Sequence, residues 1–284
     1  MNDKFIRLIY VFLDTCFSII RIALNTSFKK TIPFLSKSKI CLIMGNGPSL
    51  IKSMEDNMQK ISELDLVAVN YMALSPEYIK YKPNIYVLCD PAYWYDTPSE
   101  DVKIRVRNLY AHISEKTHWK LQLYIPYQAR KNAEISITLS NNPNIRLCYY
   151  NKTKFEGYKF LCYRIYNKQW GMSRAQNVIV ASLMLSIYSG YKEIYLAGAD
   201  SDYIKNFWVD EDNNLRHDDR HFYKDAEKNV KRVLPEKIHE EMLSNYYMFK
   251  SYIDIEAYSV YRKIKIYNTG LSSFIDAFEK KSII

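Results

Sequence analysis

The sequence predicts an α/β fold: a Rossmann-like, mainly parallel sheet with a C-terminal lid region and an N-terminal amphipathic helix. Three observations predict it. From residue 39 onward, short apolar runs of strand length alternate with segments of helical spacing. One segment, "RAQNVIVASLMLSIYSG", is apolar nearly throughout, as a buried helix must be. Polar or glycine residues close most of the apolar runs, and parallel sheets bind their ligands at the carboxyl ends of strands.

The first element is an amphipathic helix over residues 5–28, "FIRLIYVFLDTCFSIIRIALNTSF". Arg7, Asp14 and Arg21 interrupt it at seven-residue intervals and fall near one helical face. Its uninterrupted apolar runs are too short to span a bilayer, and the absence of a small-residue cleavage site argues against a signal peptide. Lys29, Lys30, Lys37 and Lys39 follow it. Two readings stand. One is a membrane-surface anchor through residues 5–39. The other is a helix packed on the chain's own core or on a second copy in a homo-oligomer. Pro33 and the "SKSK" run then divide residues 1–38 from the main domain.

In that domain, residues 39–203, "ICLIM" is a strand and "SLIKSMEDNMQKI" a helix. "LDLVAVN" and "NIYVLCD" are strands, "RVRNLYAHI" a helix, "LQLYIPY" and "IRLCYY" strands. The long buried helix stops at Gly190. "KEIYLAGAD" is the strand after it, and "KIKIYNTG" a late one. Residues 204–245 are polar, charged and bear histidines, which suits a lid. Residues 246–284 return to the main domain.

Composition narrows the partners. The chain has 284 residues, 48% hydrophobic and 25% charged, with a net charge of +9. That charge favours an anionic partner, but no zinc-finger spacing, aromatic RNP-type strand or base-reading basic helix accompanies it, so nucleic acid is not expected. The five cysteines (Cys16, Cys41, Cys89, Cys148 and Cys162) are widely spaced with no CxxC, as free thiols in a reducing compartment would be. The 26 tyrosines reflect either genome bias or a carbohydrate-facing surface.

"CLIMGNGPSL" concentrates the chemistry. Gly45 and Gly47, two of only seven glycines, would let the backbone turn tightly beside a ligand. Pro48 suits the first turn of a helix, where free N–H groups can hold a phosphate. An ordinary βα turn is the alternative. The stretch is neither GxGxxG nor a P-loop, so it supports neither NAD nor P-loop ATP chemistry. Other strand or helix ends add Asn70, Asp90, Ser173, Arg174, Gln176, Asn177, Asp200, Tyr203 and Asn268.

"GNGPSL" after an apolar strand, an asparagine ending the next strand, and "GYKEIYLAGAD" after a long helix resemble the bacterial sialyltransferases of glycosyltransferase family 42 and the related MptE-like group. That group includes flagellin-modifying proteins and a pterin diphosphokinase. The resemblance covers roughly residues 39–280 and is concentrated at 41–50 and 173–203. It implies a nucleotide-binding α/β domain with a lid, a CMP-linked sugar donor as substrate, and no metal or other cofactor. By position, Asn46, Gly47, Pro48 and Ser49 would meet the nucleotide. Asn70 would contact sugar or phosphate, Asp90 would lie near the base, Ser173 to Asn177 would hold the phosphate, and Asp200 and Tyr203 would line the site. Two departures stand out: Asp90 replaces the family's asparagine before a proline, and "SRAQN" replaces its threonine-serine-glycine. Arg174 could supply a planar phosphate clamp in compensation.

Inverting glycosyl transfer needs a base for the acceptor hydroxyl, and histidine suits it. His112 and His118 lie away from the strand ends. His217, His221 and His239 fall in the lid, where the sialyltransferase base also lies; His221 is the first candidate and His239 the second. Asp200 joins them as a catalytic candidate. The loop aspartates carry no UDP-type DxD signature, and no metal site is expected. The sequence thus leads to an inverting, metal-independent glycosyltransferase acting on a bacterial surface glycan, peripheral on the inner face of the membrane. The alternatives are a Mg²⁺-dependent diphosphotransferase of the pterin type and a non-catalytic binding protein on the same fold.

Overall fold

The computed structural model describes residues 3–29, 32, 39–95, 99–218 and 231–283. Eight parallel strands form the central sheet: β1 (Ile40–Met44), β2 (Asp65–Val69), β3 (Ile85–Val87), β4 (Leu121–Pro126), β5 (Ile145–Tyr150), β6 (Glu193–Ala197), β10 (Lys265–Asn268) and β11 (Glu279–Lys280). Their order is β11-β10-β6-β1-β2-β3-β4-β5. The chain steps outward from β1 to β5, then returns to β6 on the other side of β1, pairing Met44 with Ala197. The fold is Rossmann-like α/β. The switch point of its topology lies between the carboxyl ends of β1 and β6.

Strand side chains alternate between two cores. Ile43, Val67, Val69 and Val87 pack with α8 (Val178–Ser189) and α9 (Ile238–Tyr261). Leu42, Met44, Ala68 and Tyr86 pack with α5 (Glu100–Lys116) and the short helices α2 (Leu50–Glu55), α3 (Met58–Ile61) and α4 (Pro76–Tyr81). The stretch expected as one helix, "SLIKSMEDNMQKI", is broken at Asp56 and Asn57 into α2 and α3. Helix α8 is buried along its whole length. Asn177 caps its start by accepting from Val180 N at 3.0 Å, and Gly190 ends it in the left-handed region at φ 93°. Helices α6 (Ala133–Ser140) and α7 (Lys159–Asn167) complete the main domain. Within the segment expected as a lid, β7 (Phe207–Val209), β8 (Leu215–Asp218) and β9 (Lys231–Val233) form a separate antiparallel sheet. Helix α9 begins before residue 245 and buries its face from Asn245 onward.

The tyrosines build the core. Tyr78, Tyr86, Tyr124, Tyr150, Tyr191, Tyr195, Tyr252 and Tyr258 are among the largest fully buried side chains. Their hydroxyls find partners, as buried hydroxyls must: Tyr86 donates to Asn70 O at 2.6 Å and Tyr150 to Leu88 O at 2.9 Å.

Helix α1 (Asp3–Asn25) seats on the body along a narrow stripe of Val11, Thr15, Ser18 and Ile22. Thr15 Oγ1 accepts from Tyr158 N at 3.0 Å and Ser18 Oγ from Glu156 N at 3.0 Å. A Cβ on Gly157 would stand 2.0 Å from Thr15 Oγ1, so only glycine permits this approach. Phe5, Leu8, Ile9, Phe12, Leu13, Phe17, Ile20 and Leu24 are exposed. At about 100° per residue they sweep an arc away from the seat, with Arg7, Asp14 and Arg21 along its border. No helix among the described residues is long and apolar enough to cross a membrane. Lys30, Pro33 and Lys37 lie outside the described residues.

Candidate functional site

A cavity of about 500 Å³ opens at the switch point. The turns after β1, β2, β3, β5 and β6 and the start of α8 line it. Of the sequence candidates, Asn46, Gly47, Pro48, Ser49, Asn70, Asp90, Gln176, Asn177, Asp200 and Tyr203 are brought together on its wall.

Within the turn after β1, successive residues have different tasks. Gly45 N donates to Ala197 O at 2.7 Å and Gly47 N to Gly198 O at 2.8 Å. A Cβ on Gly45 would meet Gly198 O at 2.3 Å, and one on Gly47 would meet Asp200 Oδ2 at 2.2 Å. Close approach to the β6 turn requires both glycines, and Gly47 also lines the cavity. Ser49 also turns inward: its N donates to Asp200 Oδ2 at 3.2 Å and its Oγ to Asp200 Oδ1 at 2.5 Å. The anion at this turn is the protein's own carboxylate. Asp200 is thus a tether between two turns rather than a free catalytic group, and Ser49 N is not open to a phosphate.

Asn46 is the exception. It is 8% exposed, and neither its Nδ2 nor its Oδ1 has a hydrogen-bond partner. An unpartnered buried amide costs about 1–3 kcal/mol, so Asn46 is the residue of this turn whose hydrogen-bonding capacity the fold leaves unused. Asn70, across the cavity, holds a left-handed φ of 52°, and Ser201 one of 49°; backbone in this region collects at functional sites.

The other candidates carry structural bonds as well. Asp90 Oδ1 accepts from Ala92 N at 2.8 Å. Asn177 caps α8 and donates to Tyr252 OH at 2.9 Å. Gln176 reaches Ser244 Oγ at 2.8 Å. Gly45, Ser173, Asn268 and Arg174 lie off the cavity wall. Ser173 is buried. Asn268 is buried within its own turn, accepting from Gly270 N at 3.0 Å. Arg174 is held by Glu156, with Nε to Oε1 at 3.0 Å and Nη2 to Oε2 at 3.1 Å, and its guanidinium lies 3.7 Å from the Tyr247 ring centre. The phosphate clamp expected of Arg174 is therefore corrected to an internal ion pair. Burial pushes the Glu156 carboxyl up, but bonds from Arg174 and Lys154 outweigh it and hold its pKa down at about 2.

His239 is exposed on the first turn of α9 and is not on the cavity wall. His221 lies outside the described residues, as does Asp219. His217 packs on Phe207 at 4.8 Å and on Tyr203, a wall residue, at 6.3 Å.

Lys152 was missed by the sequence reading, and Asp202 entered it only as one of the loop aspartates. Lys152 follows β5, lines the cavity and donates to Cys89 O at 2.7 Å. The strand-end rule finds it once β5 is included. Asp202 follows the β6 turn and bonds Lys205 at 3.5 Å. Cys89 also lines the wall, but burial pushes its thiol up and keeps it protonated. Among the described residues, the charged ones on the wall are Asp90, Asp200, Asp202 and Lys152. Among the described residues, no three His, Cys, Asp or Glu side chains cluster as metal ligands.

No family model and no curated protein matches the chain. Among solved structures it is similar to the MAf glycosyltransferase of Magnetospirillum magneticum AMB-1, at 12% identity and a TM-score of 0.49. The match covers 93% of this chain and 38% of that one, so the chain spans well under half of that protein's length.

Proposed function

We propose that the chain is a glycosyltransferase using a nucleotide-activated sugar, CMP-linked by sequence resemblance, with a bacterial surface glycan or glycolipid as acceptor. The observation that carries this reading is Asn46, a buried amide with both atoms unpartnered on the wall of a switch-point cavity. An amide offers a nucleotide base or ribose one donor and one acceptor together. In the inverting step, the acceptor oxygen attacks the anomeric carbon. The bond from that carbon to the phosphate oxygen breaks, its electron pair leaves with the nucleotide, and the hydroxyl proton passes to a base. His221 is the base we favour.

We further propose that α1 lies on the inner membrane surface. Its exposed apolar arc, bordered by Arg7, Asp14 and Arg21 with Lys29 just beyond, suits the headgroup region of an anionic bilayer.

The acid-rich wall favours a second reading, Mg²⁺-dependent diphosphotransfer, in which a cation would bridge carboxylate and diphosphate. Melting temperature against CMP, CDP, UDP, GDP and ATP, each with and without Mg²⁺, separates the two. A ligand at 100 times its Kd stabilises by about 2.7 kcal/mol. A rise with CMP that needs no metal supports the transferase. A rise confined to ATP with Mg²⁺ supports the diphosphotransferase, and no rise with any nucleotide contradicts both.

A further inference from the structure

A second cleft of about 430 Å³ opens between α1 and the turn after β3, and it shares Pro91, Lys152 and Ala175 with the switch-point cavity. Its charge is opposite. Among the described residues, Arg21, Lys152, Lys154 and Arg174 line it and no carboxylate does. Lys154 and Arg174 are already paired with Glu156. Arg21, on the charged border of α1, has no ion-pair partner among the described residues.

A second, independent feature points to a ligand. Trp94 lies between this cleft and the neighbouring cavity lined by Tyr93 and Tyr110; it is 6% exposed, and its buried indole N–H has no hydrogen-bond partner. Beside it, Tyr95 presents a ring that is 54% exposed. Aromatic faces with a polar edge suit a sugar ring, and grouped guanidinium and ammonium groups suit a carboxylate or phosphate.

We infer that this cleft binds a carbohydrate bearing an anionic group, and that it is the acceptor subsite. Its role as acceptor site rests on the transferase reading; the anion site does not. The anion has two sources with the same chemistry: the carboxylate of an acidic sugar, or the phosphate of a lipid-linked glycan. The second would reach the cleft past the apolar arc of α1.

Titration calorimetry on the full chain tests this with two matched pairs, 3′-sialyllactose against lactose and farnesyl phosphate against farnesol. At least one acidic probe should bind tenfold or more tightly than its neutral partner. Preference for sialyllactose identifies the acidic sugar, and preference for farnesyl phosphate the lipid phosphate. Arg21→Gln and Trp94→Phe should each weaken the acidic probe fivefold or more. Arg21 sits on the partly exposed border of α1, so its variant should keep the wild-type melting temperature. Asn46→Ala should leave the acidic probe untouched while weakening the nucleotide. If neither acidic probe is preferred, or if the preference survives both cleft variants, the inference is overturned. If no nucleotide binds but an Arg21-dependent acidic preference persists, the transferase reading fails and the anion site stands.

Discussion

Of the close approaches in this molecule that depend on glycine, two differ in what lies beyond them. At the switch point, Gly45 and Gly47 bring the β1 turn against the β6 turn, deep in the main domain. At the rim, Gly157 brings a loop against Thr15 of α1. The first contact joins two adjacent strands of one sheet and leaves a single amide, Asn46, facing a cavity without a partner. The second holds a helix by a few small side chains and leaves its apolar face outside. The same local geometry therefore has unequal consequences. Breaking the first disturbs the fold, whereas breaking the second should release a helix from an intact body.

The largest expected effect is at the first contact. Gly47→Ala drives a methyl into Asp200 and Gly45→Ala drives one into Gly198 O. Each should cost about 3 kcal/mol and lower the melting temperature by roughly 5–10 °C. Wild-type melting in either variant would show that the two turns are not locked together. Gly157→Ala should cost less globally, because its clash and left-handed φ of 122° are confined to the α1 seat. Limited proteolysis should then cleave within residues 3–29 faster while the remaining body melts cooperatively.

The loop that seats α1 also carries the acid sensitivity. The Glu156 carboxyl is held below its unfolded range, so its stabilisation is complete above about pH 4.5 and is lost as pH falls toward 2. Wild type should lose on the order of 2–3 kcal/mol across that window from this group. Glu156→Gln should be less stable at pH 7 and flatter in acid, which denaturation at stepped pH would reveal. The smallest effect on folding is expected on the outer arc of α1. Leu8→Asp with Phe12→Asp should change stability by less than about 0.5 kcal/mol, yet abolish co-sedimentation with anionic vesicles. Unchanged sedimentation would exclude the membrane-surface role of the arc.

Much of this architecture was legible in the sequence because strand runs and helical spacing are local. The strands β1 to β6 and β10, the stop of α8 at Gly190, and the gathering of strand ends all follow from patterns within a few residues. What was not legible depends on partners far along the chain. Ser49 is bound by a carboxylate 151 residues away, so its loss to a ligand could not be read from "GNGPSL". Arg174 looked free at a helix start because Glu156 reaches it across an intervening helix. The apolar residues of α1 predicted its amphipathicity, but not that its small polar residues would be the ones to face the body. Asn46 could be suspected but not singled out until its neighbours in the turn were seen to be fully occupied.

The most direct test of the central claim is one variant read two ways. Asn46→Ala removes an amide that has no partner in the unliganded fold, so its melting temperature should stay level or rise. Its nucleotide affinity, measured by titration calorimetry beside wild type, should fall tenfold or more. Lost stability with unchanged affinity would contradict the account, because Asn46 would then support the fold and the switch-point cavity would not be where the nucleotide binds.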